Sequence, residues 1–254
     1  MTQKGLKMHK MLFVLLMICI PLLGSSAHHK ESASSGAYVL TMDIKTDDLI
    51  AFSAEAEKFF ESGVLQKRNA AMGLFAFTAK GANPATLVME YFYPSKESLP
   101  SPDVITDSKA HVEFNKAQRE MGNEIISSTL WSSVYEVVPP DPGTMSVFYV
   151  YYLDVQNPKQ YLLEWKSLMD TLKKSGLSSA GYGIREAIAG GVNGETHVVW
   201  MGYSSMADLV ENFKATNQSD AVAKFQNKME AVRKVNRTAI TSTVVVFNVE
   251  TYFE

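Results

Sequence analysis

The sequence predicts an α+β fold in which one β-α-β-β-α-β unit is used twice. A strand-and-turn pattern, Thr86-x-Val88-x4-Tyr93-x-Ser95-x3-Leu99, returns as Thr196-x-Val198-x4-Tyr203-x-Ser205-x3-Leu209, each residue displaced by 110 positions. Strand-like and helix-like periodicities follow one another in the same order around both copies. Between them, Pro139-Pro140-Asp141-Pro142-Gly143 can continue neither a ladder nor a helix. Residues 139–145 are therefore expected to link a unit at 37–138 to a second at 146–254.

The ends read differently from the fold. Lys4, Lys7 and Lys10 precede an apolar run from Met11 to Leu23, and Gly24-Ser25-Ser26-Ala27 forms a small-residue exit. That is the pattern of a cleaved signal peptide at 1–27, processed after Ser25-x-Ala27. The run is shorter than the roughly 20 residues of a membrane helix, and Pro21 weakens an anchor further. The expectation is an exported protein, periplasmic or extracellular, with no stable membrane insertion after cleavage. Cys19, the single cysteine, lies inside this run. A lipid on it would leave Ile20 to Leu23 as an apolar start to the mature chain. The mature chain then has no disulfide, thiol nucleophile or cysteine-held metal. Residues 28–36 read as a disordered leader, on which His28 and His29 have no fixed geometry for a metal. A net charge of −3 with both signs interspersed argues against a nucleic-acid partner.

Element by element, Tyr38 to Ile44 is the first strand. Thr46-Asp47-Asp48 starts a helix, Leu49, Phe52, Ala56, Phe59 and Phe60 form its apolar face, and Ser62-Gly63 ends it. Strands at 71–79 and 85–93 flank a Gly-Asn-Pro turn. A second helix is expected from about Ser108 to Ile125, and a fourth strand from Leu130 to Val138. The second copy gives a strand at 148–155 and a helix opened by Pro158, whose face carries Tyr161, Trp165, Met169 and Leu172. Strands at 180–189 and 196–203 surround Gly190-Gly191-Val192-Asn193-Gly194. This segment lies between strands and lacks the lysine of a phosphate loop, so it reads as a hairpin turn. Helices follow at 206–214 and about 220–235. The last strand, 241–249, contains Val244-Val245-Val246, which suggests burial on both faces.

Each copy thus has the split βαβ order of ferredoxin-like units. Such a sheet carries helices on one face only, and its other face needs a cover. Both parities of the strands are apolar, as two sheets packed face to face would require. At this level the chain resembles the dimeric α/β-barrel superfamily, in particular its antibiotic-biosynthesis-monooxygenase-like group, over roughly residues 37 to 250. The resemblance rests on Glu90-Tyr91-Phe92-Tyr93-Pro94-Ser95 with His111 beyond it. It implies two ferredoxin-like units whose sheets join into a barrel, here fused in one chain, and a pairing of Glu90 with His111. In the second copy Trp200 stands at the glutamate position and Ala221 roughly where His111 does.

Glu90 and His111 are the candidate catalytic pair, able to hold a base or orient a ligand, or simply to bond strand to helix. Tyr91, Trp200 and His197 are candidate ligand contacts. Arg185, His197 and Trp200 fall on adjacent strands, but alternation turns His197 away from Trp200, so the three cannot share one pocket. The resemblance to haem-degrading relatives fails on the absence of an asparagine in the first strand of either copy, and no cofactor is expected. The reading is a binder of a small apolar or aromatic molecule, with an apolar pocket between sheet and helices edged by Glu90, Tyr91, His111 and Trp200. Its alternatives are a cofactor-free monooxygenase-like enzyme and a non-catalytic scaffold. Pairing of two chains is compatible with all three.

Overall fold

The computed structural model describes residues 36–100, 108–139, 141–192 and 194–248. The predicted signal peptide with Cys19, the leader up to 35, Pro102, Pro140, Asn193 and the last six residues lie outside the described residues. The described chain is a mixed α+β fold: a closed eight-stranded antiparallel barrel with five helices against its outside. The strands are β1 (Tyr38–Lys45), β2 (Ala71–Ala79), β3 (Leu87–Tyr93), β4 (Glu124–Val137), β5 (Val147–Val155), β6 (Gly181–Ala189), β7 (His197–Tyr203) and β8 (Arg233–Phe247). The helices are α1 (Leu49–Glu61), α2 (Lys109–Glu120), α3 (Pro158–Lys174), α4 (Met206–Asn217) and α5 (Asp220–Met229).

Around the barrel the strand order is β1-β3-β2-β8-β5-β7-β6-β4, with β4 closing on β1. Four neighbouring strands come from each half of the chain, and the halves meet edge to edge at β2·β8 and β4·β6. The expected closure into one α/β barrel is observed, with the two sheets joined edge to edge. Closure pairs the exposed edges of both sheets, which stacking would leave open. It also turns the helix-free faces inward, where they cover each other.

The helix caps follow the sequence. Asp48 accepts from the Ala51 amide and Asn157 from the Gln160 amide; Ser108 accepts from His111 N and Ser219 from Val222 N. Three expectations shift. The second helix ends at Glu120 rather than near 125, because Gly122 takes a left-handed φ of 72° and starts a turn into a longer β4. The last helix stops at Met229, and β8 begins eight residues before the predicted start. Val244 is exposed, so the valine run is not buried on both faces. In the β6–β7 turn, Gly190 holds φ 87°, and a Cβ there would lie 2.3 Å from the Ser128 carbonyl oxygen. No side chain fits at that position.

A short turn at Pro142–Thr144 brings Met145 onto Val138 and Trp200, and Pro142, Gly143 and Met145 border the barrel interior.

Candidate functional site

Strand alternation divides the predicted residues between two spaces. On β3, Val88, Glu90 and Phe92 point into the barrel, while Leu87, Met89, Tyr91 and Tyr93 face α1 and α2. Glu90 and His111 therefore sit on opposite sides of the sheet, and their pairing is corrected: the Glu90 side chain points into the barrel, while His111 lies on α2 outside it. Trp200, in the matching position of β7, also points inward, beside Arg185. His197 lies on the outer face, buried, with Nδ1 2.9 Å from Thr196 Oγ1. Burial is the main cause of its lowered pKa.

The first space lies between sheet and helices of the N-terminal half. It is a cavity of about 490 Å³. Leu40, Met42, Met89 and Tyr91 form its floor, and Phe52, Phe59 and Leu65 its apolar wall. Its polar lining residues are Arg68, His111, Asn115, Gln118, Arg119 and Asn123. His111 packs edge-on against Phe59 at 5.8 Å between ring centres. Burial, and then the Arg68 guanidinium, push the His111 pKa below its ordinary value of 6.5, so its imidazole is neutral near pH 7. Gln118 Oε1 accepts from Asn123 Nδ2 at 2.8 Å, while Gln118 Nε2 is buried with no partner. Burial pushes the phenol of Tyr93 up to about 12 and that of Tyr91 higher still, so neither acts as a base near neutrality.

The matching region of the C-terminal half carries larger buried side chains. Counting from the N-caps, Phe52 corresponds to Tyr161, Phe114 to Phe225, Ala56 to Trp165 and His111 to Val222. The residue equivalent to His111 is thus Val222, not Ala221. Trp165 packs against Tyr135 at 6.1 Å and Tyr182 at 5.5 Å. The Arg233 guanidinium lies over Phe225 at 5.3 Å. One half keeps a hollow with polar groups at its rim, and the other carries indole and guanidinium there.

The second space is the barrel interior, a cavity of about 340 Å³. Its polar centre is Arg185, whose Nε donates to Glu136 Oε1 at 2.8 Å and whose Nη1 donates to Glu90 Oε2 at 3.2 Å. Thr41 Oγ1 donates to Glu90 Oε1 at 3.1 Å, and Trp200 Nε1 to Glu136 Oε1 at 3.3 Å. In a second ion-pair group, Arg237 Nε donates to Glu195 Oε1 at 2.8 Å and Arg237 Nη1 lies 3.4 Å from Asp43 Oδ2. Its guanidinium stacks 3.5 Å above the Tyr152 ring. Among the described residues, no group of three or more His, Cys, Asp or Glu could hold a metal ion.

Glu136, Trp131, Arg68 and Gln118 escaped the sequence reading. Parity from Trp131 places Glu136 outside the barrel. A register shift between Ser133 and Tyr135 reverses that, leaving Val134 exposed and turning Glu136 inward.

No family model matches the chain, and no curated protein does. Solved structures do. A candidate monooxygenase from Fusobacterium nucleatum subsp. nucleatum has a TM-score of 0.56 at 12% identity, over 84% of this chain and 93% of that one. One from Lactobacillus acidophilus NCFM has a TM-score of 0.53 at 10% identity, over 83% and 94%. An anthrone oxidase-like protein has a TM-score of 0.56 at 13% identity, over 84% and 92%. At such identities the likeness shows the fold alone.

Proposed function

We propose that this chain is an exported protein made of two fused ferredoxin-like units. In this reading it binds a small aromatic molecule carrying an acidic hydroxyl or carboxyl group, in the cavity between the sheet and helices of its N-terminal half. One observation carries the reading: an apolar hollow bordered by a guanidinium, a neutral imidazole and an unpartnered buried amide N–H. Apolar floor and walls favour a ring system. Arg68 and Gln118 supply donors for an oxygen, and a buried donor without a partner loses about 1–3 kcal/mol that such an oxygen would restore. The larger side chains of the counterpart around Trp165 explain why one site, rather than two, is expected.

Titration calorimetry with 2-naphthoate tests this. Binding is expected in the wild type, and Arg68→Gln is expected to weaken it about tenfold, as loss of a charge-assisted bond would. No heat at millimolar ligand would remove the proposal. The pH dependence has a definite sign. A carboxylate beside His111 favours the imidazolium, so affinity should rise by about tenfold or more as pH falls from about 8 to about 5.5. His111→Gln should flatten that slope. The apoprotein behaves oppositely. The unfolded chain takes up the His111 proton near 6.5, before the folded chain does, so folding stability falls as pH drops below that value.

A second reading follows from the same pair. A bound phenol could give its proton to the His111 imidazole and keep the electron pair on an oxygen stabilised by Arg68. The candidate monooxygenases of this fold suit that reading. Aerobic incubation with phenolic compounds decides it: product that disappears in His111→Ala supports an enzyme, and binding without product supports a carrier.

A further inference from the structure

The barrel interior is separate from the site proposed above, and its chemistry is opposite. The helix–sheet hollow is bordered by cations. The barrel cavity is walled by six aromatic rings, those of Phe75, Phe92, Trp131, Phe148, Tyr152 and Trp200. Its charged lining residues are Glu90 and Arg185, and the same guanidinium is also paired with Glu136, buried behind it. Arg185 is itself held as such a cavity would hold any organic cation: its guanidinium lies 5.7 Å from the Phe92 ring centre and 5.8 Å from that of Trp200. Glu90 keeps 17% of its side chain accessible, against 2% for Glu136, so its carboxylate is the one presented to the open volume. Thr243 Oγ1 borders the same volume, buried and without a partner.

We propose that the barrel interior is a second binding site, for a small organic ammonium ion. Aromatic faces attract a cation whose charge is spread over methyl or methylene groups, and they do so most strongly where water is excluded. Glu90 supplies the counter-charge, and Thr243 a hydroxyl for an N–H or O–H of the ligand. A strongly hydrated inorganic cation gains little from such walls. A neutral apolar molecule gains nothing from the Glu90 carboxylate. The turn at Pro142–Thr144, with Met145 against Trp200, borders this cavity and reports its occupancy.

Choline and its neutral isostere 3,3-dimethylbutan-1-ol separate the possibilities, since they share shape and hydroxyl and differ in charge. Calorimetry on the whole protein is expected to show choline binding about tenfold or more tightly than the isostere, the difference a desolvated cation–aromatic site supplies. Glu90→Gln should remove most of that preference. In protein carrying 13C-methyl methionine, choline should shift the Met145 methyl resonance and leave those of Met42 and Met89 in place, independently of whether 2-naphthoate binds anywhere. Equal affinity for the isostere would overturn the proposal, as would a silent Met145. Because that comparison uses the wild type, it stands even if Glu90→Gln does not fold.

Discussion

Replacing Arg185 by methionine is expected to cost about 3–5 kcal/mol of folding stability. The guanidinium lies between Glu136, almost wholly buried, and Glu90. Removing it leaves two carboxylates facing each other inside the barrel without the donors they share. Hydrogen bonds from Thr41 and Trp200 remain, but they come from neutral groups. The loss also falls on the join between halves, since Glu90 and Glu136 come from β3 and β4 and Arg185 from β6, the neighbour of β4 across the seam. Urea unfolding should show a lower midpoint with an unchanged slope. The triple variant Glu90→Gln, Glu136→Gln, Arg185→Met should recover most of the loss, because none of these three positions then carries a charge. A loss below about 1 kcal/mol in the single variant, the range of exposed ion pairs, would mean that water reaches these groups.

Trp165→Ala is expected to cost about 3–5 kcal/mol, the range for deleting a large buried aromatic. It places in α3 the residue that α1 carries at the same distance from its cap, Ala56, and so opens in the C-terminal half a hollow like that of the N-terminal half. The walls left behind, Tyr161, Tyr182, Met169 and Phe225, are rigid and apolar, so the space should stay dry. Indole added in excess should restore part of the lost stability, as a ligand of the folded state alone must. The wild type should show no such indole effect in this half. A small loss would mean that α3 and α5 collapse onto the sheet, and that the tryptophan is not what distinguishes the two halves.

How far the sequence reveals this molecule depends on where local rules are regular. The cap at Asp48, the Pro158 start of α3 and the alternation of β3 and β7 follow from single-residue chemistry. They place Glu90 and Trp200 on one face and Tyr91 and His197 on the other. The pairing of Glu90 with His111 that the resemblance implies conflicts with the pleat, which turns Glu90 away from the helices. Closure of the barrel depends on edge pairing between strands of different halves, Val137 with Tyr182 at one seam and Met72 with Phe247 at the other, which periodicity does not encode. The inward turn of Glu136 depends on a β4 bulge that parity cannot anticipate, since Val134 carries no turn-forming signature. Arg68 and Gln118 were invisible for another reason: each lies on polar chain, and only the packing of α1 and α2 over β1 and β3 makes them the rim of a cavity. Trp165 was read correctly as core, but its meaning appears only beside Ala56.

The central claim is that the hollow between the N-terminal sheet and its helices holds an acidic aromatic molecule. The most direct test is a titration of protein carrying 13C-methyl methionine with 2-naphthoate, followed by NMR. Met42 and Met89 lie on the floor of the hollow, while Met169 and Met229 sit in the packed core of the other half. Saturating shifts at Met42 and Met89 with Met169 and Met229 unmoved are the predicted result. Unmoved Met42 and Met89 at millimolar ligand, or equal shifts at all four, would contradict it.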